Sequence, residues 1–279
     1  MKPRPFDYVR PQTAEEAMAL LAEYGDDARI LAGGQSLIPM LNLRLIDASV
    51  LIDVSRIASL DAIRDLGRSV EVGAAVTQNK LMAWPPLKEK LPLVAAALPF
   101  VGHFQTRNKG TVCGSIAHAD PRSELPLVLA VLDGEVVLRS QKSGERVLAA
   151  SDFQRDMLTT ARAADELIAA VRFPVQAGRG VGFREVARRH GDFAIVALAA
   201  VAEKTAVRLA VGGMAGRPLV RTLSGNGSDA LAEAVLRWAG ELEGYDDLHA
   251  TAAMRRDLFR NLAPHVAADA RKAMGQGVR

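Results

Sequence analysis

Two short runs of small residues hold the groups best suited to chemistry: Ala32-Gly33-Gly34-Gln35-Ser36-Leu37 and Gly110-Thr111-Val112-Cys113-Gly114-Ser115. Glycine lets a backbone come close to a ligand. A helix N-terminus offers unpaired N–H groups and the positive end of a dipole, which suit a phosphate. The first run follows a short apolar stretch and precedes a helical pattern, and Ser36 adds a hydroxyl. Two such runs facing each other would pinch a diphosphate. The plainer reading of each is an ordinary tight turn, with Ser36 as a helix cap, and each run taken alone leaves both readings open. Neither contains Gly-Lys-Ser/Thr and neither reads Gly-x-Gly-x-x-Gly, so a P-loop NTPase and a Rossmann dehydrogenase both lose ground.

Other chemistries find less support. Cys113 is the only cysteine, so the chain makes no internal disulfide and cannot by itself ligate an iron–sulfur cluster. His103, His118, His190, His249 and His265 show no zinc-ligand spacing. The formal net charge is +3 and its cations are scattered, whereas a nucleic-acid binder gathers them on one face. The longest apolar run, Ala194 to Ala202, is short of the ~20 residues of a membrane-spanning helix. Met1 to Pro11 has no apolar signal core. A cytoplasmic protein with no nucleic-acid partner and no membrane span is the expectation.

The elements that must position the two runs are legible in part. Thr13-Ala14-Glu15-Glu16 has the form of a capping box. Ala17, Leu20, Leu21 and Tyr24 follow at helical spacing, and Gly25 is a stop. Arg29 to Ala32 reads as a buried strand, a helix begins near Ser36, and Val50 to Val54 reads as a strand: a small α/β unit over residues 1–60. Further strands are expected at Val70 to Val72, Gly134 to Arg139 and Leu167 to Phe173, with a helix at Leu125 to Leu132 and a loop from Lys109 to Ser115. Gln176 to Gly180 reads as a linker or turn. Beyond it, Phe193 to Ala202 and Val207 to Val211 would form a hairpin over Glu203-Lys204-Thr205, followed by helices at Asp229 to Trp238 and Ala250 to Leu262. Strands followed by helices suggest a separate α+β domain.

These residues together carry a resemblance. The first run, then Gln105-x-Arg107-Asn108-x-Gly110-Thr111 and Gly114-Ser115-x-x-His118-Ala119-Asp120-Pro121, is similar to the medium, FAD-binding subunit of the xanthine dehydrogenase and carbon monoxide dehydrogenase family. The likeness continues through Gly182-Phe183-Arg184-Glu185, Arg189-His190-Gly191-Asp192-Phe193-Ala194 and Gly212-Gly213-Met214-Ala215-Gly216-Arg217-Pro218, and ends near Asp247-Leu248-His249-Ala250 and Arg255-Arg256.

The resemblance implies an α+β chain. A two-subdomain, PCMH-type FAD-binding fold would cover residues 1–176 (subdomains about 1–60 and 61–176). A C-terminal domain of small antiparallel sheet plus helices would cover 177–279. It implies that Ala32, Gly33, Gly34, Gln35, Ser36 and Leu37, with Thr111, Val112, Cys113, Gly114 and Ser115, hold the diphosphate. Glu124 stands where the family usually places a cofactor-binding Asp. Ile168 matches a position at the adenine end, Arg184 a basic residue near the flavin, and Phe193 a side chain beside the isoalloxazine ring. Cys113 stands where the family commonly has Gly. As residues alone, Phe193 reads as core, Arg188-Arg189 as a solvated pair, Asp120-Pro121 as the start of the next helix, and His118 and Cys113 as packed groups.

In the family, substrate is oxidised at a molybdenum–pterin cofactor in a large subunit, and electrons reach FAD through two [2Fe–2S] clusters in a small one. The resemblance therefore implies separate partner subunits, a dimer of heterotrimers, and no catalytic acid or base in this chain. Two alternatives stand beside it: a self-contained flavin oxidase or reductase of the same superfold, and a nucleotide-binding assembly module without redox work. The family also fixes an expectation for attachment. Related flavoproteins that tether FAD use a histidine in a Gly-Gly-His loop; Gln35 stands in that place here, and an amide is not a nucleophile. Acid precipitation of the flavin-loaded chain is expected to leave intact FAD in the supernatant; yellow colour held in the denatured pellet contradicts non-covalent binding.

Overall fold

The computed structural model describes residues 2–224 and 228–276. Its first layer is a three-stranded parallel sheet of β1 (Asp7–Val9), β2 (Ala28–Leu31) and β3 (Val50–Asp53) in the order β1-β3-β2. Parallel neighbours need crossovers, and α1 (Ala14–Tyr24) and α2 (Leu37–Asn42) supply them. The Thr13 hydroxyl accepts from the Glu16 N–H at 3.1 Å, and the Glu16 carboxylate accepts from the Gln12 N–H at 2.7 Å, so the cap closes one residue further back than a standard box. Gly25 stops α1 at φ 51°.

The chain then forms β4 (Ile63–Asp65) and β5 (Ser69–Gly73), and wraps through α3 (Gln78–Met82), α4 (Leu87–Lys90), α5 (Pro92–Ala97), α6 (Phe104–Lys109), α7 (Val112–His118) and α8 (Glu124–Val131). It returns as β6 (Glu135–Ser140), β7 (Gly144–Ala149), α9 (Ala150–Phe153), the small hairpin β8 (Gln154–Asp156) and β9 (Thr159–Thr160), and the long β10 (Glu166–Pro174). Antiparallel pairing gives a five-stranded sheet, β4-β5-β10-β6-β7. Helix α8 is buried on nearly every side, from Leu125 to Val131, as a helix between two layers must be. One of those layers is the second sheet.

The other layer is a four-stranded antiparallel sheet: β11 (Val181–Val186), β12 (Val196–Ala202), β13 (Ala206–Gly212) and β14 (Leu219–Ser224), in that order. It is covered on its far face by α10 (Ser228–Glu241) and α11 (Ala252–Gln276). Gly180 and Gly182 let α11 lie against β11, since a Cβ there would stand 1.9 Å from the Ala270 carbonyl oxygen and 2.4 Å from that of Val266. Among the described residues, no helix is long and apolar enough to cross a membrane.

Three sequence expectations need correction. The run Lys109 to Ser115 is not a loop throughout, because Val112–His118 is helical. The Thr111 hydroxyl caps it by accepting from the Gly114 N–H at 2.9 Å, and burial of Val112, Cys113 and Ile116 outweighs the helix penalty of one glycine, about 1 kcal/mol. Asp120-Pro121 does not begin α8, whose N-cap is Ser123; the Asp120 carboxylate instead closes a turn onto the Arg122 N–H at 2.9 Å. The last helix does not end at Leu262 but runs through Pro264 to Gln276, its buried Ala263, Val266, Ala267 and Ala270 holding it to the sheet despite the lost N–H.

Candidate functional site

A cavity of about 680 Å³ opens where the three sheets' loops converge. Its floor begins at the end of β2, where the chain turns through Gly34 at φ 70°, a left-handed conformation that favours glycine. The Gln35 carboxamide folds back to donate to the Gly33 carbonyl oxygen at 3.3 Å. Ser36 makes no capping hydrogen bond, so its hydroxyl is not spent on α2. Opposite lies the start of α7. A Cβ on Gly33 would stand 2.1 Å from the Lys109 carbonyl oxygen and 2.7 Å from the Gly110 Cα, so the two runs touch backbone to backbone. The second run is fixed from behind: the Gln78 N–H donates to Gly110 at 2.8 Å and the Val112 N–H to Val76 at 3.1 Å.

Of the residues expected at a cofactor, Ala32, Gly33, Gly34, Gln35, Ser36, Leu37, Thr111, Cys113, Gly114, Ser115, Glu124, Ile168 and Phe193 all line this one cavity. Val112 does not; it is fully buried on the other side of α7. Arg184 does not either. Successive strand residues face opposite ways, so Phe183 packs inward on Phe100, ring centroids 5.3 Å apart, while Arg184 points at α11 and pairs with Asp269 at 2.8 Å.

Phe193 is not core. It is 46% exposed and precedes β12, its ring between the imidazole of His118 (centroids 6.3 Å apart) and the guanidinium of Arg122, 5.3 Å from its centroid. Burial lowers the His118 pKa, Asp120 opposing that and Arg122 adding to it, so this ring is neutral near pH 7. Cys113 is buried, its thiol donating to the Val72 carbonyl at 3.4 Å, and burial raises its pKa well above the usual thiol range. A buried, protonated thiol packed on β5 is a poor nucleophile. Glu124 is 4% exposed and burial, with Asp120 adding, pushes its pKa up to about 7.

Three further residues on the cavity wall escaped sequence reading. Gln78 is 5% exposed, and its Oε1 is sealed from solvent with no hydrogen-bond partner. Arg29 and Arg162 form no ion pair among the described residues. Each spends one nitrogen on backbone carbonyls: Arg29 on Asp26 and Ala28 at 2.6 and 2.8 Å, Arg162 on Ala163, Ala164 and Glu166 at 2.9, 3.2 and 2.7 Å. Burial lowers the Arg162 pKa, and the nearby Arg29 charge adds to that. Gln78 lies in a five-residue helix with no periodic signal, and Arg162 sits alone among alanines. Neither has a cue of its own in the chain.

The wall fits a flavin dinucleotide. Backbone-only contact between the two runs leaves N–H groups and small side chains for a diphosphate, the arginine pair suits an electron-rich heterocycle or anion, and Gln78 Oε1 offers an acceptor that lacks a donor. Among the described residues no His, Cys, Asp and Glu cluster suits a metal.

Comparison with known proteins gives the same answer independently. Residues 4–176 match the profile of the FAD binding domain in molybdopterin dehydrogenase. The chain is 39% identical over 232 residues to the 6-hydroxypseudooxynicotine dehydrogenase complex subunit alpha of Paenarthrobacter nicotinovorans, covering 83% of this chain and 76% of that one. It is 35% identical over 271 residues to the nicotine 6-hydroxylase medium subunit of the same organism, covering 91% and 93%. In structure it superposes on a chain of carbon monoxide dehydrogenase from Hydrogenophaga pseudoflava with a TM-score of 0.90 at 30% identity, covering 98% and 99%.

The unpaired Gln78 oxygen yields a test with two readouts of opposite sign. Replacing a buried orphan acceptor by an apolar group of similar shape relieves about 1–3 kcal/mol, while losing one hydrogen bond to a ligand costs about 0.5–1.5 kcal/mol. Gln78→Leu is expected to raise the melting temperature of the flavin-free chain and to weaken FAD binding about threefold to tenfold in a fluorescence titration. Unchanged FAD affinity means that Gln78 does not face the cofactor.

Proposed function

This chain belongs to the family that carries the FAD-binding domain of molybdopterin dehydrogenases, and from that premise we propose that it accepts electrons from [2Fe–2S] clusters in a small partner subunit and passes them to an external acceptor. It is a FAD-binding medium subunit, an oxidoreductase component whose molybdenum–pterin and iron–sulfur centres belong to other subunits. The observation that carries the proposal is the lining of the cavity. It holds two diphosphate-suited runs, an unpartnered acceptor at Gln78 and the half-exposed ring of Phe193.

When bound, FAD supplies the exchange between one-electron and two-electron chemistry; the protein's part is position and electrostatics. In the proposed arrangement N–H groups of Gly33 to Leu37 and, in the second run, those of Thr111 and Cys113 hold the diphosphate, since the Val112, Gly114 and Ser115 N–H groups are bound within the protein. Arg29, Arg162 and Ile168 receive the adenosine half. His118, Glu124 and Phe193 border the flavin half, with Phe193 covering one side of it. Arg184, bound to Asp269 on the far face of β11, has no part in this arrangement. The complete enzyme is proposed to be a dimer of heterotrimers, with a large molybdopterin-binding subunit and a small [2Fe–2S] subunit as separate chains, in keeping with a relative named as a medium subunit.

Reconstitution tests this reading. Mixed with its large and small subunits and their substrate, the chain's flavin absorbance is expected to bleach, and removal of the small subunit to prevent bleaching. Turnover of an organic substrate by the flavin-loaded chain alone would contradict it and favour a self-contained oxidase.

A further inference from the structure

A second cavity, of about 350 Å³, shares the segment Gly191 to Phe193 with the cofactor cavity as a wall. Arg122, Asp247 and Arg255 also line it. With Asp120 they make a cluster of two cations and two carboxylates. Arg122 lies in the turn before α8 and grips Asp120 through Nε and Nη2, each at 3.2 Å. Its Nη1 reaches Asp247 at 3.7 Å. The same Asp247 oxygen accepts from Arg255 Nη2 at 2.6 Å, and the other accepts from the N–H groups of His249 and Ala250 at 2.8 and 2.9 Å. Little water reaches these charges: the Arg255 side chain is fully buried, and those of Asp120, Asp247 and Arg122 are 8%, 22% and 24% exposed. In such surroundings a balanced cluster becomes a source of field when one member is removed. Two cations against one carboxylate leave a net positive charge; one cation against two carboxylates leaves a net negative one.

The cluster meets the cofactor cavity through one side chain. The Arg122 guanidinium stands 5.3 Å from the Phe193 ring centroid, a cation–π contact, and no other cation lies over that ring among the described residues. Arg188 lines the second cavity too, but it bears on His249 at 3.4 Å. His118, beside Phe193, is neutral near pH 7 and adds no competing charge. The cofactor cavity's own arginines, Arg29 and Arg162, stand at the adenosine end in the arrangement proposed above. A phenyl ring is uncharged and of low polarity, so it transmits the Arg122 field where water would screen it. Reduction makes a flavin more negative. A positive field at the ring therefore favours the reduced form, and a negative field the oxidised form.

We propose that Arg122 and Asp247 set the reduction potential of the bound flavin across Phe193: Arg122 supplies positive charge, and Asp247, carried by the loop between α10 and α11, offsets part of it. Neither is a catalytic residue. Both act on the flavin from behind Phe193, and through Asp247 the C-terminal domain tunes a cofactor held by the other two sheets. The inference rests on the reading that puts the flavin beside Phe193.

Redox titration of the FAD-loaded full chain against a dye of known potential, followed by flavin absorbance, tests it. Asp247→Asn keeps a hydrogen-bond acceptor in place and removes one negative charge. It is expected to shift the equilibrium about tenfold toward reduced flavin, a rise of about 30 mV for a two-electron couple. Arg122→Gln removes the cation and is expected to shift it about tenfold the other way. Arg122→Lys keeps the charge and is expected to stay within about threefold of wild type. Opposite signs are the mark of charge, because a merely loosened site moves both variants the same way. Shifts of one sign in Asp247→Asn and Arg122→Gln, or a shift below about threefold in either, would overturn the proposal. If Asp247→Asn does not fold, because Arg255 is left as a buried charge without its carboxylate, the two Arg122 variants decide. A lowered potential for Arg122→Gln beside an unchanged one for Arg122→Lys supports the proposal, and equal shifts for both overturn it. A chain that binds FAD with a potential indifferent to these substitutions contradicts this inference and leaves the cofactor reading standing; a chain that binds no FAD overturns both.

Discussion

Everything about this site depends on one close approach. Gly33 meets the backbone of Lys109 and Gly110 so tightly that a single Cβ would overlap a carbonyl oxygen. That contact brings the turn after β2, in the small parallel sheet, against the link from α6 into α7, and α7 leans on the five-stranded sheet. No side chain is left between them to fill the gap with apolar bulk or to repel an anion. The resulting wall is made of peptide groups and small side chains, which is the surface a diphosphate needs. The helices contribute little by length: α2 and α7 are six and seven residues. The cradle comes from their being pressed together, and from Val76 and Gln78 holding the second run in place.

The third sheet closes the cavity rather than forming its base. Its contribution arrives through the segment between β11 and β12, which carries Gly191, Asp192 and Phe193 to the cavity. That segment is anchored by Arg255, the largest fully buried side chain, which donates to the carbonyls of Ile195, Gly213 and Tyr245 and pairs with Asp247 at 2.6 Å. A buried cation satisfied at every nitrogen fixes three separate loops at once, and breaking such a network by removing one partner is costly. Phe193 can thus be 46% exposed without being free to drift. The neutral ring of His118 and the cation of Arg122 set its two sides.

How much of this was readable varies with burial. Fully buried strands announce themselves as apolar runs, so β3, β10 and β13 are legible to within a residue at each end, and β12 is legible with its start read three residues early. Edge strands β4 and β7 were missed, because exposed stretches such as Gly144–Ala149 carry no such signal. Gly114 gives α7 a loop-like local pattern, and the burial of Ile116 that holds the helix leaves no local cue. By type alone Phe193 reads as core; its position, three residues before β12, decides its exposure. Arg184 shows the limit of reasoning from motif position: the alternation of β11 turns it away, while its neighbour Glu185 faces in. Gln78 has no signature at all, because what marks it is a missing partner.

The central claim is that one ligand, FAD, spans the cavity with its diphosphate between the two glycine runs. A structure of the chain with FAD bound tests this most directly. The account requires diphosphate density within hydrogen-bonding distance of N–H groups in both 33–37 and 111–115, with the flavin ring on the Phe193 side. A diphosphate that touches only one run, or a flavin ring lodged beside Arg29 and Arg162, would contradict it.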